Sequence, residues 1–295
     1  MRNFNENTIT DAVQDRLTSP TPTRVHDVSA ALVRHLHALV REIRPTFAEW
    51  ETAIKFLTRI GEFCDENRQE FILLSDVLGV SMLVDAINYH AEGRETETTV
   101  LGPFFVERAE EYPNGSDISP EISGDALLIS GVVCDADGRP LSGATVDIWH
   151  SDSEGYYDVQ QLEKVDQLAM RGRFKTHDDG RFWCWSIKPA PYPIPHDGPV
   201  GDLLKAQGRH PWRPAHVHFM VTADGYEKLV THIFVAGDPY LDSDVVFGVK
   251  DSLIEKLEQR LVGNVRSQTT DRPYWVLNRE FRLKCKLDPK GTITG

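Results

Sequence analysis

Cysteine is scarce in this sequence, basic charge is in deficit, and no long apolar run occurs; each shortage removes a class of protein. The four cysteines, Cys64, Cys134, Cys184 and Cys285, lie far apart in the 295 residues and form no Cys-x-x-Cys pair. A thiolate metal site needs closer spacing, so four free thiols in a reducing compartment are expected. Lysine and arginine number 32 against 45 aspartates and glutamates, a formal net charge of −13. That excess repels phosphate backbones and anionic lipid surfaces, so neither nucleic acid nor membrane is an expected partner. No run approaches the ~20 apolar residues needed to span a bilayer. The stretch from Met1 to Pro20 is polar and carries no secretory signal pattern. These features together predict a cytoplasmic protein. No internal repeat or low-complexity tract is found.

What is present divides near residue 100. Before it the apolar spacing is helical. Val25, Val28, Leu32, Leu36, Leu39 and Ile43 recur every three or four residues, and Pro45 ends that stripe. Thr46 with Glu49 reads as a capping box for a second helix, whose stripe is Phe47, Trp50, Ile54, Leu57 and Ile60. Phe71 to Tyr89 is apolar on most of its circumference, which predicts burial on several sides, against another subunit among other possibilities. After residue 100 the period shortens to two. Strands are predicted at Ala126–Cys134, Ala144–His150, Arg173–Thr176, Arg181–Ile187, His216–Thr222, Lys228–Val235 and Tyr274–Lys284, with Asp-Gly turns between some of them. A late helix is predicted over Ser243–Leu261, and a stiff Pro-rich loop over Lys188–Pro214. The expected class is mainly β with a helical N-terminal part: residues 1–100 helical, residues 101–295 a β-sandwich.

Three short segments carry residues suited to chemistry. In Arg213-Pro214-Ala215-His216-Val217-His218, residues two apart on a strand share a face, so both imidazoles can grip one ion. Tyr192-Pro193-Ile194-Pro195 is stiffened by proline and can hold a phenol at a set place. Gly155-Tyr156-Tyr157 runs off a strand end into a polar loop. Each piece alone is open to a structural reading: a packed histidine pair, a surface loop, half-buried aromatics. Two phenolates with two imidazoles form a hard anionic set, for which ferric iron is the natural occupant. A tyrosine ionises near pH ~10 unaided and needs a strong Lewis acid to stay ionised at neutral pH.

These segments, with Leu101-Gly102-Pro103-Phe104-Phe105 and Val235-Ala236-Gly237-Asp238-Pro239-Tyr240, resemble the intradiol ring-cleavage dioxygenases, in the family's order from about residue 20 to residue 285. The resemblance implies a helical N-terminal domain that joins two subunits and a β-sandwich that holds one ferric ion. It implies Tyr157, Tyr192, His216 and His218 as the metal ligands, with Tyr192 the one that leaves and acts as a base when substrate binds. Arg213 matches the arginine beside the substrate ring. The implied partners are a catechol-type substrate, O2, a second copy of the chain, and a phospholipid between the N-terminal helices.

Within the family the chain looks similar to the enzymes that cleave hydroxyquinol, through Phe104-Phe105, Ile194 and the run from Leu241 to Phe247. His232 stands where many catechol-cleaving members carry a glutamine, which leaves its role open. By the same resemblance Leu73, Asp76, Gly102, Pro103, Phe104, Ile194, Pro195 and Val246 border the substrate. Asp76 lies in a strongly apolar stretch, where it either reaches solvent, caps a turn, or accepts a hydrogen bond from a third ring hydroxyl. Competing readings are a catechol or chlorocatechol dioxygenase, a zinc hydrolase built on the His pair, and a non-catalytic β-sandwich binding module.

Overall fold

Alternation along one strand explains the architecture. In His216–Thr222, Val217, Phe219 and Val221 enter the hydrophobic core, while His216, His218 and Met220 face the other way. The computed structural model describes residues 3–17, 23–65, 68–89, 93–107, 109–160, 168–261, 263–265, 268–270 and 272–286. The chain divides into two compact units, residues 1–59 and 60–295.

The first unit holds α1 (Ile9–Gln14), α2 (Arg24–Ile43) and most of α3 (Phe47–Glu62). Thr23 caps α2 through its hydroxyl, which accepts from the His26 amide at 3.4 Å. The capping box at α3 forms as its spacing predicts. The Thr46 amide donates to Glu49 Oε2 at 2.7 Å, and the Glu49 amide to Thr46 Oγ1 at 3.3 Å. Arg41 ties α2 to α1, donating to Thr10 Oγ1 at 2.6 Å and to the Glu6 carbonyl at 2.8 Å. No residue of α2 is buried: its stripe from Val25 to Ile43 stays exposed, as do Phe47, Trp50, Ile54 and Leu57 on α3.

The second unit begins with α4 (Glu70–Val77) and α5 (Val80–Asn88), which share the apolar stretch read above as one segment. They are separated at Gly79, whose φ of 72° is open to glycine at little cost. Next come β1 (Ala126–Asp135), β2 (Thr145–His150), β3 (Arg171–Lys175), β4 (Arg181–Ile187), β5 (Tyr192–Pro193), α6 (Pro199–Ala206), β6 (Trp212–Arg213), β7 (His216–Thr222), β8 (Leu229–Val235), β9 (Ile254–Glu255), β10 (Glu258–Arg260), β11 (Gly263–Val265), β12 (Gln268–Thr270) and β13 (Tyr274–Leu283). One sheet has the order β10-β13-β1-β4 and the other β3-β2-β7-β8-β9. Their inner faces meet in one core, where Phe219 of β7 packs on Phe281 of β13 at 4.7 Å and on Phe182 of β4 at 6.4 Å between ring centroids. This is the β-sandwich the alternating pattern predicts.

Two expectations need correction. The helix predicted over Ser243–Leu261 does not form; short 3-10 turns at Leu241–Ser243 and Asp251–Leu253 lead into β9 and β10. Asp244 is the physical reason. Its carboxylate accepts from the Val246 and Gly248 amides, which a helix would engage otherwise, and Phe247 takes a φ of 59°. The Lys188–Pro214 loop also contains regular structure. Pro199 opens α6 at a position where its missing N–H costs nothing. The next amide, Val200, donates to the fully buried Glu70 at 3.0 Å. β5 pairs with β6, which sets Tyr192 opposite Arg213.

Candidate functional site

Register brings the histidines together. β7 and β8 pair so that His218 lies opposite His232, and His216 precedes them on the same face. The three buried imidazoles form a group whose nitrogens lie within 4.8 Å of one another and could hold a metal ion. His216 Nδ1 donates to the Pro214 carbonyl at 2.7 Å, so its Nε2 keeps a lone pair for the site. That Nε2 is 3.1 Å from His218 Nε2. The Tyr157 hydroxyl is 2.9 Å from His218 Nε2 and 3.5 Å from His216 Nε2. Donor atoms about 2.0–2.2 Å from a common transition-metal ion stand roughly 3 Å apart, which is the spacing of these three. The Tyr192 ring closes the group, 5.2 Å from the Tyr157 ring and 5.6 Å from that of His216.

Electrostatics suit a cation. Burial pushes His216, His218 and His232 well below the ordinary imidazole pKa, and neighbouring Arg213 adds to the effect, so all three stay neutral. Burial holds the Tyr157 phenol well above its ordinary value, and Tyr192 adds to the rise, against the pull of Arg213. A neutral phenol and neutral imidazoles leave an uncompensated nest of lone pairs, which a metal ion would complete.

The loops are held by specific contacts. Gly155 has a φ of 91°, and a Cβ there would lie 2.8 Å from Tyr192 Cβ; only glycine lets the two tyrosine-bearing segments meet. Asp158, next to Tyr157, forms a buried ion pair with Arg171 through Nε at 2.6 Å and through Nη2. Arg171 Nη1 also donates to the Phe104 carbonyl at 3.0 Å, and the Phe104 ring stacks on Tyr157 at 4.4 Å. Sequence reasoning missed this pair, because nothing in the spacing of residues 158 and 171 connects them.

The expected substrate-bordering residues come from four segments, and four of the eight line one cavity. Leu73, Pro103, Phe104 and Pro195 line a cavity of about 470 Å³ together with Arg68, Ile72 and Val159. A Cβ at Gly102 would lie 3.2 Å from His218 Cε1. Ile194 is buried beside Tyr192, its amide bound to the Pro211 carbonyl at 2.9 Å. Asp76 is buried, which answers the open alternatives against solvent. Burial pushes its carboxyl above the ordinary range; a hydrogen bond from Ser81 and the charge of Arg213 pull it back, while Asp244 adds to the rise. Val246 sits where its amide meets Asp244, the partner of Arg213. Asp244 was not among the expected site residues, and the pairing pattern of β6 alone does not point to it.

Known proteins resemble this chain along most of its length. Residues 100–275 match the Dioxygenase family and residues 23–96 the family described as Catechol dioxygenase N terminus. A hydroxyquinol 1,2-dioxygenase of Rhizobium sp. (strain MTP-10005) is 47% identical over 95% of this chain and 96% of its own. A 6-chlorohydroxyquinol 1,2-dioxygenase of Cupriavidus pinatubonensis is 49% identical over 90% of this chain and 96% of its own. The crystal structure of hydroxyquinol 1,2-dioxygenase from Pseudomonas putida DLL-E4 superposes with a TM-score of 0.89 at 46% identity, covering 95% of this chain and 99% of that one.

Proposed function

This chain belongs to the intradiol ring-cleavage dioxygenases, and from that membership we propose that it cleaves hydroxyquinol (benzene-1,2,4-triol) with O2 to 3-hydroxy-cis,cis-muconate, the tautomer of maleylacetate. The observation that carries the choice of substrate is Asp76, a buried carboxylate close enough to Arg213 to feel its charge, on the helix that also lends Leu73 to the cavity. Ser81 supplies one hydrogen bond to this carboxylate, which leaves acceptor capacity that burial makes costly to waste, and the third hydroxyl of the triol is a donor that catechol lacks.

Tyr157, Tyr192, His216 and His218 would hold ferric iron, and the fit rests on their donor atoms: lone-pair nitrogens and a phenol oxygen at mutual ligand spacing in a buried nest. Bound there, the ion supplies a Lewis acid that keeps tyrosine and diol oxygens ionised and draws electron density from the ring. Tyr192 would take a substrate proton on its phenolate oxygen. Arg213 faces the negative charge that develops on the ring; its guanidinium stays charged in the buried site because Asp244 offsets the cost of burial. Leu73, Gly102, Pro103, Phe104, Ile194, Pro195 and Val246 shape the slot and keep out bulk water.

Residues 1–100 serve dimerisation in this reading, and residues 101–295 catalysis. The exposed apolar stripe on α2 is the face a second copy would cover, with a phospholipid held among the helices. Among the described residues no helix is long and apolar enough to cross a membrane, and the four cysteines are free, which supports a reducing, cytoplasmic setting.

Oxygen uptake with benzene-1,2,4-triol, 6-chlorohydroxyquinol, catechol and 4-chlorocatechol, recorded beside iron content and visible spectrum, tests the proposal. Preferred uptake with the triol by a red, iron-bearing protein is expected. Equal or faster uptake with catechol would overturn the substrate, and a colourless zinc protein without uptake would overturn the class. The 6-chloro arm matters because a relative of that name is 49% identical.

A further inference from the structure

Arg213 is gripped in a way that leaves one end of its guanidinium unspent. Nε donates to Asp244 Oδ1 at 3.1 Å and Nη2 to Asp244 Oδ2 at 3.2 Å, a two-point contact between almost fully buried groups. Nη2 also faces His232 Nδ1 at 3.4 Å. Those contacts use three of the five N–H donors. The two on Nη1 remain, and Nη1 lies 3.3 Å from His216 Nε2, at the edge of the candidate metal nest. With a metal on that lone pair, Nη1 would be free to meet a substrate oxygen.

Asp244 is itself immobilised. Its Oδ2 accepts from the Gly248 amide at 2.9 Å and its Oδ1 from the Val246 amide at 3.4 Å. Gly248 packs directly on the pair: a Cβ there would stand 2.9 Å from Arg213 Nη2 and 3.2 Å from Asp244 Oδ2. The segment 244–248 is thus a socket that fits the far side of the guanidinium and has no space for a methyl group. It also explains why this stretch gives up its helical pattern.

We propose that Asp244 is a positioning residue: with Gly248 and His232 it clamps the Nε/Nη2 side of Arg213 and aims Nη1 at the oxygen of the ring-cleavage site. His232, with Nδ1 turned to Arg213, belongs to this clamp and is not a metal ligand. The inference rests on the role given above to Arg213. A group that acts only when oriented loses rate when its aim shifts, even though its charge is kept.

The test uses the iron-loaded full-length enzyme and its Asp244→Asn, Gly248→Ala, His232→Gln and Arg213→Ala variants. Asp244→Asn removes the charge and one acceptor; Gly248→Ala displaces Nη2 without touching any charge. Both are expected to keep iron content, the tyrosinate-to-iron absorption band and anaerobic triol binding, while kcat falls about ten- to a hundredfold. His232→Gln is expected to keep its iron. Normal kcat in Asp244→Asn and Gly248→Ala, with Arg213→Ala impaired, would sink the clamp and spare the role of Arg213. Normal turnover by Arg213→Ala would instead sink that role. Loss of iron or of the fold in both socket variants would mark Asp244 as scaffold, and loss of iron in His232→Gln would make it a ligand; either overturns the inference.

Discussion

At the scale of single residues, Asp76 and His150 show how burial turns a polar side chain into a commitment. Asp76→Asn keeps the shape and one acceptor but loses the charge. A hydrogen bond to a charged group is worth about 1.5–3 kcal/mol, so kcat/KM for the triol is expected to fall roughly ten- to a hundredfold. That for catechol should change little. Steady-state oxygen uptake with both substrates checks this, and parallel losses would deny Asp76 its selective role. His150 is buried between the Ser151 carbonyl, at 2.7 Å from Nδ1, and Ser186 Oγ, at 2.8 Å from Nε2. Burial pulls its pKa down from 6.5 to about 4. The unfolded chain therefore binds a proton on this residue first as pH falls. The contribution to stability is full above pH 6.5 and is lost as pH drops from 6.5 towards 4. Denaturant unfolding of the metal-free protein should weaken across that window, and His150→Gln should flatten the slope.

At the scale of elements, the site depends on loops tied to one another more than on the strands alone. Arg171, on β3, fastens Asp158 beside Tyr157 and the Phe104 carbonyl in one span. Arg171→Ala would strand the buried Asp158 carboxylate, and breaking such a pair costs about 3–5 kcal/mol. Unfolding midpoints should fall accordingly, and the tyrosinate absorption band should shift, since Tyr157 and the ring of Phe104 above it lose their common anchor. A variant with an unshifted band would show that Tyr157 is held by other contacts. How far these elements could be read beforehand follows their periodicity. The helices α2 and α3 and the strands β1, β4, β7 and β8 carry three- to four-residue or two-residue repeats, and they form close to where those repeats lie. The stretch from Ser243 to Leu261 carries a helical repeat as well. It folds otherwise because Phe247 takes the left-handed region and the Asp244 side chain, drawn to Arg213, competes for the Gly248 amide.

At the scale of the whole molecule, apolar residues on the two units are left uncovered within one chain. On α2 that stripe includes Leu32, Leu36 and Leu39, each about half exposed. An apolar stripe of several helical turns marks an association surface. Under the dimer proposed above, Leu36→Asp is expected to lower the sedimentation coefficient from that of two chains to that of one, without change in metal content. An unchanged sedimentation coefficient would deny this stripe the proposed dimer contact.

Sequence alone was enough to determine that residues 216 and 218 share a face, that the chain is helical in its N-terminal part and mainly β after it, and that proline shapes the loop with Tyr192. Those properties come from local periodicity and local dihedral preference, which depend on near neighbours. It also carried the motif order by which the family is identified. Only the tertiary structure decided that Asp76 is buried near Arg213, that Arg171 joins Asp158 to Phe104, and that Asp244 grips the guanidinium from the far side. These contacts join residues 13 to 137 positions apart through strand register and loop packing. No repeat or short spacing in the chain encodes which side chains such a closure will bring within reach.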